Sequence, residues 1–267
     1  MPAVTSKDGT RIAYDVVGHG PAVILVDGAL GFRAFGDLPQ LAALLAPVCS
    51  AYCYDRRGRG ESGDTLPYAL EREIEDIEAL IEAAGRRASL YGISSGGALA
   101  LEAGASLGTR VKRLAVYEIP YDSTEQGMAA WHGYRDILAE CLAAGRRGDA
   151  VVAFMRLVGA GSEGVERMRA APVWPTFEAV APTLAYDAAA LGEDRTVPIE
   201  RAALVTADTL IMDGALSQEL MPFMRASAET LAAAIPHSRR LTLDGQQHDV
   251  DSKVLAPVLI PFFAETT

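Results

Sequence analysis

Two hydrophobic rhythms alternate along the first half of the chain. Residues 11–17 switch between apolar and polar positions with the period of a half-buried strand. Within residues 21–27 the run Ala22-Val23-Ile24-Leu25-Val26 is apolar throughout, as expected for a strand covered on both faces. Residues 38–45 read as a short helix and residues 48–54 as another strand. Between residues 68 and 84, Leu70, Ile74, Ile77, Leu80 and Ile81 make a helical stripe among charges, and Gly85 ends it. A short strand at 88–91, a helix at 98–107 and a strand at 111–117 follow. This order predicts an α/β fold, a mostly parallel sheet with helices on both faces.

The rhythm breaks at Pro120. From there to Pro198 no strand pattern occurs, and helical pieces recur at 131–144, 150–158 and 174–184, punctuated by Gly, Pro and small residues. Strand signals return at 209–212 and 240–243, with helices at 229–235 and 254–263. The reading is a core formed by residues 1–119 and 199–267, with residues 120–198 inserted as a helical cap. An insertion near the carboxyl ends of the strands would cover the place where open α/β sheets bind ligands.

Composition narrows the partners. Half of the 267 residues are hydrophobic, enough for a sizeable core, and the net charge is −11. That balance disfavours nucleic acid and anionic membranes, which both need a basic face. No apolar run is long enough to span a bilayer, and the first residues lack a signal-like apolar segment, so a cytoplasmic protein is expected. Cys49, Cys53 and Cys141 form no disulfide framework, and Cys49 and Cys53 read as small core residues. His19, His132, His237 and His248 show no metal-ligand spacing, so neither a metal nor another cofactor is expected. A homodimer is compatible with the sequence.

The strongest chemical signal is Gly92-Ile93-Ser94-Ser95-Gly96, which fits G-x-S-x-G between a predicted strand and a predicted helix. A sharp strand-to-helix turn there would lift Ser94 to a helix N-terminus, where backbone N–H groups favour developing negative charge. The alternative is a plain Gly/Ser turn.

With this context the chain resembles the α/β-hydrolase family over nearly its whole length. Asp55-Arg56-Arg57-Gly58-Arg59-Gly60-Glu61-Ser62 is similar to that family's D-x-R-G-x-G-x-S segment; the alternative is a solvated basic turn, and neither reading gives it chemistry. Gly245-Gln246-Gln247-His248 is similar to the G-x-x-H segment after the last strand, which implies that His248 is the general base. The family's usual His-Gly after the third strand is replaced by Asp27-Gly28-Ala29-Leu30-Gly31. A backbone donor needs no particular side chain, so the oxyanion hole is assigned to the N–H groups of Ala29 and Ser95. Asp27 either braces this loop or touches substrate.

The usual acid position falls near Ser217, which carries no carboxylate. Some members, certain haloalkane dehalogenases among them, take the acid from the end of the sixth strand. Here that site is Glu118, which is favoured over Asp213. A narrower resemblance, to the zearalenone lactonases, rests on Asp27-Gly28-Ala29-Leu30-Gly31, Gly92-Ile93-Ser94-Ser95-Gly96-Gly97, Tyr117-Glu118-Ile119-Pro120 and Pro172-Val173-Trp174. It implies substrate contacts from Asp27, Gly28, Leu30 and Trp174, although Trp174 also suits the cap's own core.

The resulting expectation is a serine hydrolase of small-molecule carboxylic esters or lactones, working through Ser94, His248 and Glu118. Thioester hydrolysis would use the same parts. The rival from another class is a hydrolase-fold ligand-binding protein with little turnover.

Overall fold

The structure is a computed structural model and describes residues 2–264. Its sheet has eight strands: β1 (Ala3–Thr5), β2 (Arg11–Val17), β3 (Ala22–Val26), β4 (Ser50–Tyr54), β5 (Ala88–Ile93), β6 (Val111–Tyr117), β7 (Asp208–Gly214) and β8 (Ser238–Leu243). Their spatial order is β1-β2-β4-β3-β5-β6-β7-β8. β1 and β2 run antiparallel to their neighbours, and every pairing from β4 to β8 is parallel.

The uninterrupted apolar strands are explained by what lies on each face. Along β3, Ala22, Ile24 and Val26 enter one core, while Val23 and Leu25 enter the other. Helices α1 (Leu38–Leu45) and α12 (Ser252–Ala264) close the second core. The first is closed by α2 (Leu70–Ala83), α3 (Ser95–Leu107) and α11 (Phe223–Ala234). Strand periodicity of two residues thus splits each central strand between two hydrophobic layers.

Between β6 and β7 the chain is helical: α4 (Glu125–Ala143), α5 (Arg147–Leu157), α6 (Ser162–Arg169), α7 (Trp174–Val180), α8 (Leu184–Leu191) and α9 (Ile199–Ala202). After β7 comes α10 (Ser217–Leu220). The inserted helices reach the strand ends through named contacts. Phe177 of α7 meets Phe35 edge-on, with ring centroids 5.1 Å apart. Asp187 of α8 bonds to the first residue of α3. The helix α6 and strand β1 have no counterpart in the sequence reading. α6 is polar with one buried side chain, Val165, and β1 is three residues long, so neither carries a readable stripe. Among the described residues no helix is long and apolar enough to cross a membrane.

Candidate active site

The site forms where β3, β5, β6 and β8 deliver their carboxyl ends to one rim. Ser94 follows β5 with φ 56 and ψ −131, a conformation that L-residues rarely adopt. Small neighbours make the turn passable. A Cβ on Gly92 would lie 2.5 Å from the Gly96 carbonyl, and one on Gly96 would lie 2.4 Å from the carbonyls of Val26 and Asp27. The Ser94 N–H donates to the Tyr117 carbonyl at 3.0 Å, tying the turn to the end of β6.

Glu118 follows β6 and also has positive φ, 45. Its carboxylate is buried and used at both oxygens. Oε1 accepts from the Gly214 N–H at 2.8 Å, and Oε2 lies 2.9 Å from His248 Nδ1. Asp213, the other candidate acid, accepts instead from Arg240 Nη1 at 3.0 Å and Thr242 Oγ1 at 3.1 Å. The structure therefore brings Glu118, and not Asp213, to His248. Burial raises the Asp213 carboxyl pKa above its ordinary value, against the opposing pull of Arg240.

His248 is partly exposed, on the loop after β8. Tyr117 holds that loop by donating its hydroxyl to the Gln247 carbonyl at 2.6 Å. A Cβ on Gly214 would collide with the Gln246 carbonyl and the Tyr117 hydroxyl, so the loop packs directly on the end of β7. Tyr117 was not singled out in the sequence, where it reads only as the last apolar residue of a strand.

The loop after β3 lies against the serine. A Cβ on Gly28 would come within 3.1 Å of Ser94 Cβ. The Gly28 N–H donates to Asp27 Oδ1 at 2.8 Å and is thereby occupied. The N–H groups of Ala29 and Ser95 have no acceptor among the described residues, which leaves both free to receive a charged oxygen. Leu30 is buried and sits at φ 63, turning the loop. The Asp27 carboxylate curls against Gly31 Cα, where a Cβ would fall 2.3 Å from Asp27 Cγ. Burial pushes the Asp27 carboxyl up to about 6, against the pull of Arg59, the Gly28 N–H and Arg56.

One end of the sheet thus carries the strained turn at Ser94, two free amides and a histidine held by a buried carboxylate. Over residues 16–252 the sequence matches the family described as "Alpha/beta hydrolase family". The chain belongs to the alpha/beta hydrolase family. The chain is similar to an alpha/beta hydrolase from Sphaerobacter thermophilus DSM 20745, at 48% identity and TM-score 0.88, covering 98% of this chain and 100% of that one. It is 30% identical over 145 residues to serine hydrolase BPHL of Mus musculus, covering 51% of this chain and 50% of that protein. The chain thus spans about half the length of the curated relatives it matches. An enol-lactonase from Burkholderia xenovorans LB400 shares the fold, with TM-score 0.70 at 21% identity, covering 99% of this chain and 100% of that one.

The structure decides between the two readings of the Asp55–Ser62 segment, which is not a solvated basic turn. Arg56, Arg57 and Arg59 are 1%, 0% and 1% exposed. Arg56 forms a two-pronged pair with Glu73 at 2.8 Å, and Arg57 does the same with Asp76 at 2.8 and 2.7 Å. A buried guanidinium is tolerated only with such partners. The available signal was Glu73 and Asp76, two acids directly beside Ile74 and Ile77 on the buried stripe of α2.

Trp174 makes its ring contacts inside the inserted segment. Arg169 lies over the ring, 5.6 Å from its centroid. The indole lines a groove of about 850 Å³ with Arg146, Arg147, Asp149, Arg169 and Glu178, a lining that includes neither Ser94, Glu118 nor His248.

Proposed function

We propose that this chain hydrolyses small carboxylic esters or lactones through an acyl-enzyme. Ser94 Oγ attacks the carbonyl carbon and gives its proton to His248 Nε2. The N–H groups of Ala29 and Ser95 hold the resulting oxyanion. His248 then protonates the leaving alkoxide, which departs from an ester or stays tethered from a lactone. Water, deprotonated by the same imidazole, releases the acid and restores Ser94. Glu118 keeps the Nδ1 proton on its own side of the ring and stabilises the imidazolium.

The observation that carries this reading is the 2.9 Å contact between Glu118 Oε2 and His248 Nδ1, with the same carboxylate anchored on the Gly214 N–H. A histidine with no mechanistic duty needs no buried, doubly bonded carboxylate behind it. The two free amides beside Ser94 suit an oxyanion better than a neutral ligand. The ester or lactone class draws support from the enol-lactonase fold neighbour and from the resemblance of short sequence motifs to those of the zearalenone lactonases.

The test is labelling by a fluorophosphonate probe together with turnover of p-nitrophenyl acetate and δ-valerolactone. The wild-type protein should label and hydrolyse. Ser94→Ala should abolish labelling and lower kcat by roughly 10⁴-fold or more. A folded wild-type protein that neither labels nor turns over any member of a graded ester and lactone panel would be a binder, and the proposal would fall.

A further inference from the structure

The carboxylate of Asp187 belongs to α8, in the helical insertion, and every partner it has reaches the catalytic backbone. Its Oδ1 accepts from Ser95 Oγ at 2.8 Å and from Arg56 Nη1 at 2.6 Å. Its Oδ2 accepts from Arg59 Nη2 at 2.7 Å. Arg59 Nη1 in turn donates to the Gly28 carbonyl at 2.5 Å and to the Gly31 carbonyl at 3.1 Å. Arg56 Nη1 also reaches the Asp27 carbonyl at 3.2 Å.

The Gly28 carbonyl and the Ala29 N–H are two ends of one planar trans peptide and point in opposite directions. Fixing that oxygen therefore fixes the line along which the Ala29 N–H points. A cationic donor on the oxygen also polarises the same amide and strengthens its N–H as a donor. Ser95 is held by its hydroxyl, which leaves its own N–H free.

We propose that Asp187 is a positioning residue for the oxyanion hole, one whose seating in the inserted helix aims both amides at the reacting carbonyl. It holds Ser95 directly and the Gly28–Ala29 peptide through Arg59. This rests on the ester-hydrolase reading above. A carboxylate that only neutralised two buried guanidinium groups would have no use for the Ser95 hydroxyl. Thr183, at the turn before α8, adds a second tie by accepting from Arg59 Nε at 3.0 Å. The charge state fits: burial raises the Asp187 carboxyl pKa, but Arg59, Arg56 and the Ser95 hydroxyl outweigh it, and the carboxyl sits below its ordinary value.

The experiment compares the wild-type chain with Asp187→Asn, Ser95→Ala and the double variant. It reads kcat and KM on p-nitrophenyl acetate, and inhibition by a trifluoromethyl ketone, whose adduct with Ser94 carries an oxyanion, against its methyl ketone counterpart. Losing one oxyanion donor costs about 10²–10³-fold, and misaiming one costs less. Asp187→Asn should lower kcat by about 30–100-fold and Ser95→Ala by about 5–10-fold. KM should stay within about twofold for both, and affinity for the trifluoromethyl ketone should fall in step with kcat. The double variant should lose less than the product of the two single effects, because both act through one carboxylate. Should Asp187→Asn fail to fold, Ser95→Ala alone decides, since it removes a hydroxyl and keeps the amide. Folded variants with wild-type kcat and wild-type trifluoromethyl ketone affinity would overturn the inference and leave the hydrolase reading intact. A folded wild-type protein that neither takes the fluorophosphonate probe nor turns over any member of the ester and lactone panel would overturn both.

Discussion

Glu118→Gln is the substitution whose outcome the geometry dictates most tightly. The Gly214 N–H points at Oε1 from 2.8 Å, and the side chain is fully buried. A glutamine must keep its carbonyl oxygen there, because an amide NH2 facing the Gly214 N–H would leave two buried donors unsatisfied, at about 1–3 kcal/mol each. The glutamine NH2 then faces His248 Nδ1 across the 2.9 Å contact. An NH2 group can only donate, so Nδ1 must become an acceptor and the ring must carry its proton on Nε2. That is the wrong tautomer for taking a proton from Ser94.

The imidazolium also loses its counter-charge. A triad acid replaced by its amide costs about 10⁴-fold in kcat where only the tautomer goes wrong. We expect a loss of about 10³–10⁴-fold here, or roughly 4–5.5 kcal/mol of transition-state stabilisation. KM should change little, because the Glu118 side chain is fully buried and meets His248. The assay is steady-state hydrolysis of p-nitrophenyl acetate, with the melting temperature measured on the same sample. Asp213→Asn is the internal control, and should hold kcat within about threefold because its partners are Arg240 and Thr242. A Glu118→Gln protein that melts like wild type and keeps more than about a tenth of its kcat would refute the reasoning. So would a larger loss in Asp213→Asn.

Two further outcomes follow from the surroundings of the site. The folded-state pKa of Asp27, about 6, lies above its ordinary value of 3.8, so the native state holds this proton more tightly than the unfolded chain. Stability from this group is therefore greatest at low pH and falls as pH rises from about 4 through 6. Asp27→Asn, whose amide oxygen can still accept from the Gly28 N–H, should be more stable than wild type by about 1–3 kcal/mol at pH 8 and lose that advantage below about pH 4; urea unfolding at both values checks this, and equal stability at pH 8 would contradict it. Trp174→Ala should lower the melting temperature and reduce short and bulky ester turnover by the same factor, since the ring packs among the inserted helices; a loss confined to bulky substrates would put the indole in the substrate path.

How much of this was legible in the sequence depends on whether a residue's duty is local. The central strands were readable because burial on both faces leaves a continuous apolar run, as in Ala22–Val26. The serine turn was readable because its glycines and its position between strand and helix are set within a few residues. Glu118 entered through the family resemblance, which implies an acid at the end of the sixth strand in members that lack one near Ser217. The burial of the arginines is not legible in the sequence because their partners lie far along the chain. Arg59 meets Asp187 across 128 residues and Thr183 across 124. Charge patterning along a sequence sees only near neighbours, and an Arg-rich turn with Gly on both sides then looks solvated. Trp174 stayed ambiguous for the same reason: an aromatic in a cap helix has one sequence signature, whether it packs inward or meets a ligand.

Backbone strain separates Glu118 from Asp213 more sharply than sequence position does. Both close parallel neighbouring strands, and both are buried. Asp213 stays within β7, so its side chain keeps the ordinary alternation and meets β8 neighbours. Glu118 leaves β6 at φ 45, which breaks the alternation and swings the carboxylate to the rim. Ser94 does the same after β5 at φ 56, and Leu30 turns the adjoining loop at φ 63. Each such residue costs of order 1–3 kcal/mol. The neighbouring strand helps to offset it at two of them: the Ser94 N–H finds the Tyr117 carbonyl at 3.0 Å, and the Glu118 N–H finds the Met212 carbonyl at 2.9 Å. Three of the five non-glycine residues with positive φ lie at this rim. The sheet therefore acts as a frame that holds three unfavourable turns in place, at the ends of the neighbouring strands β3, β5 and β6.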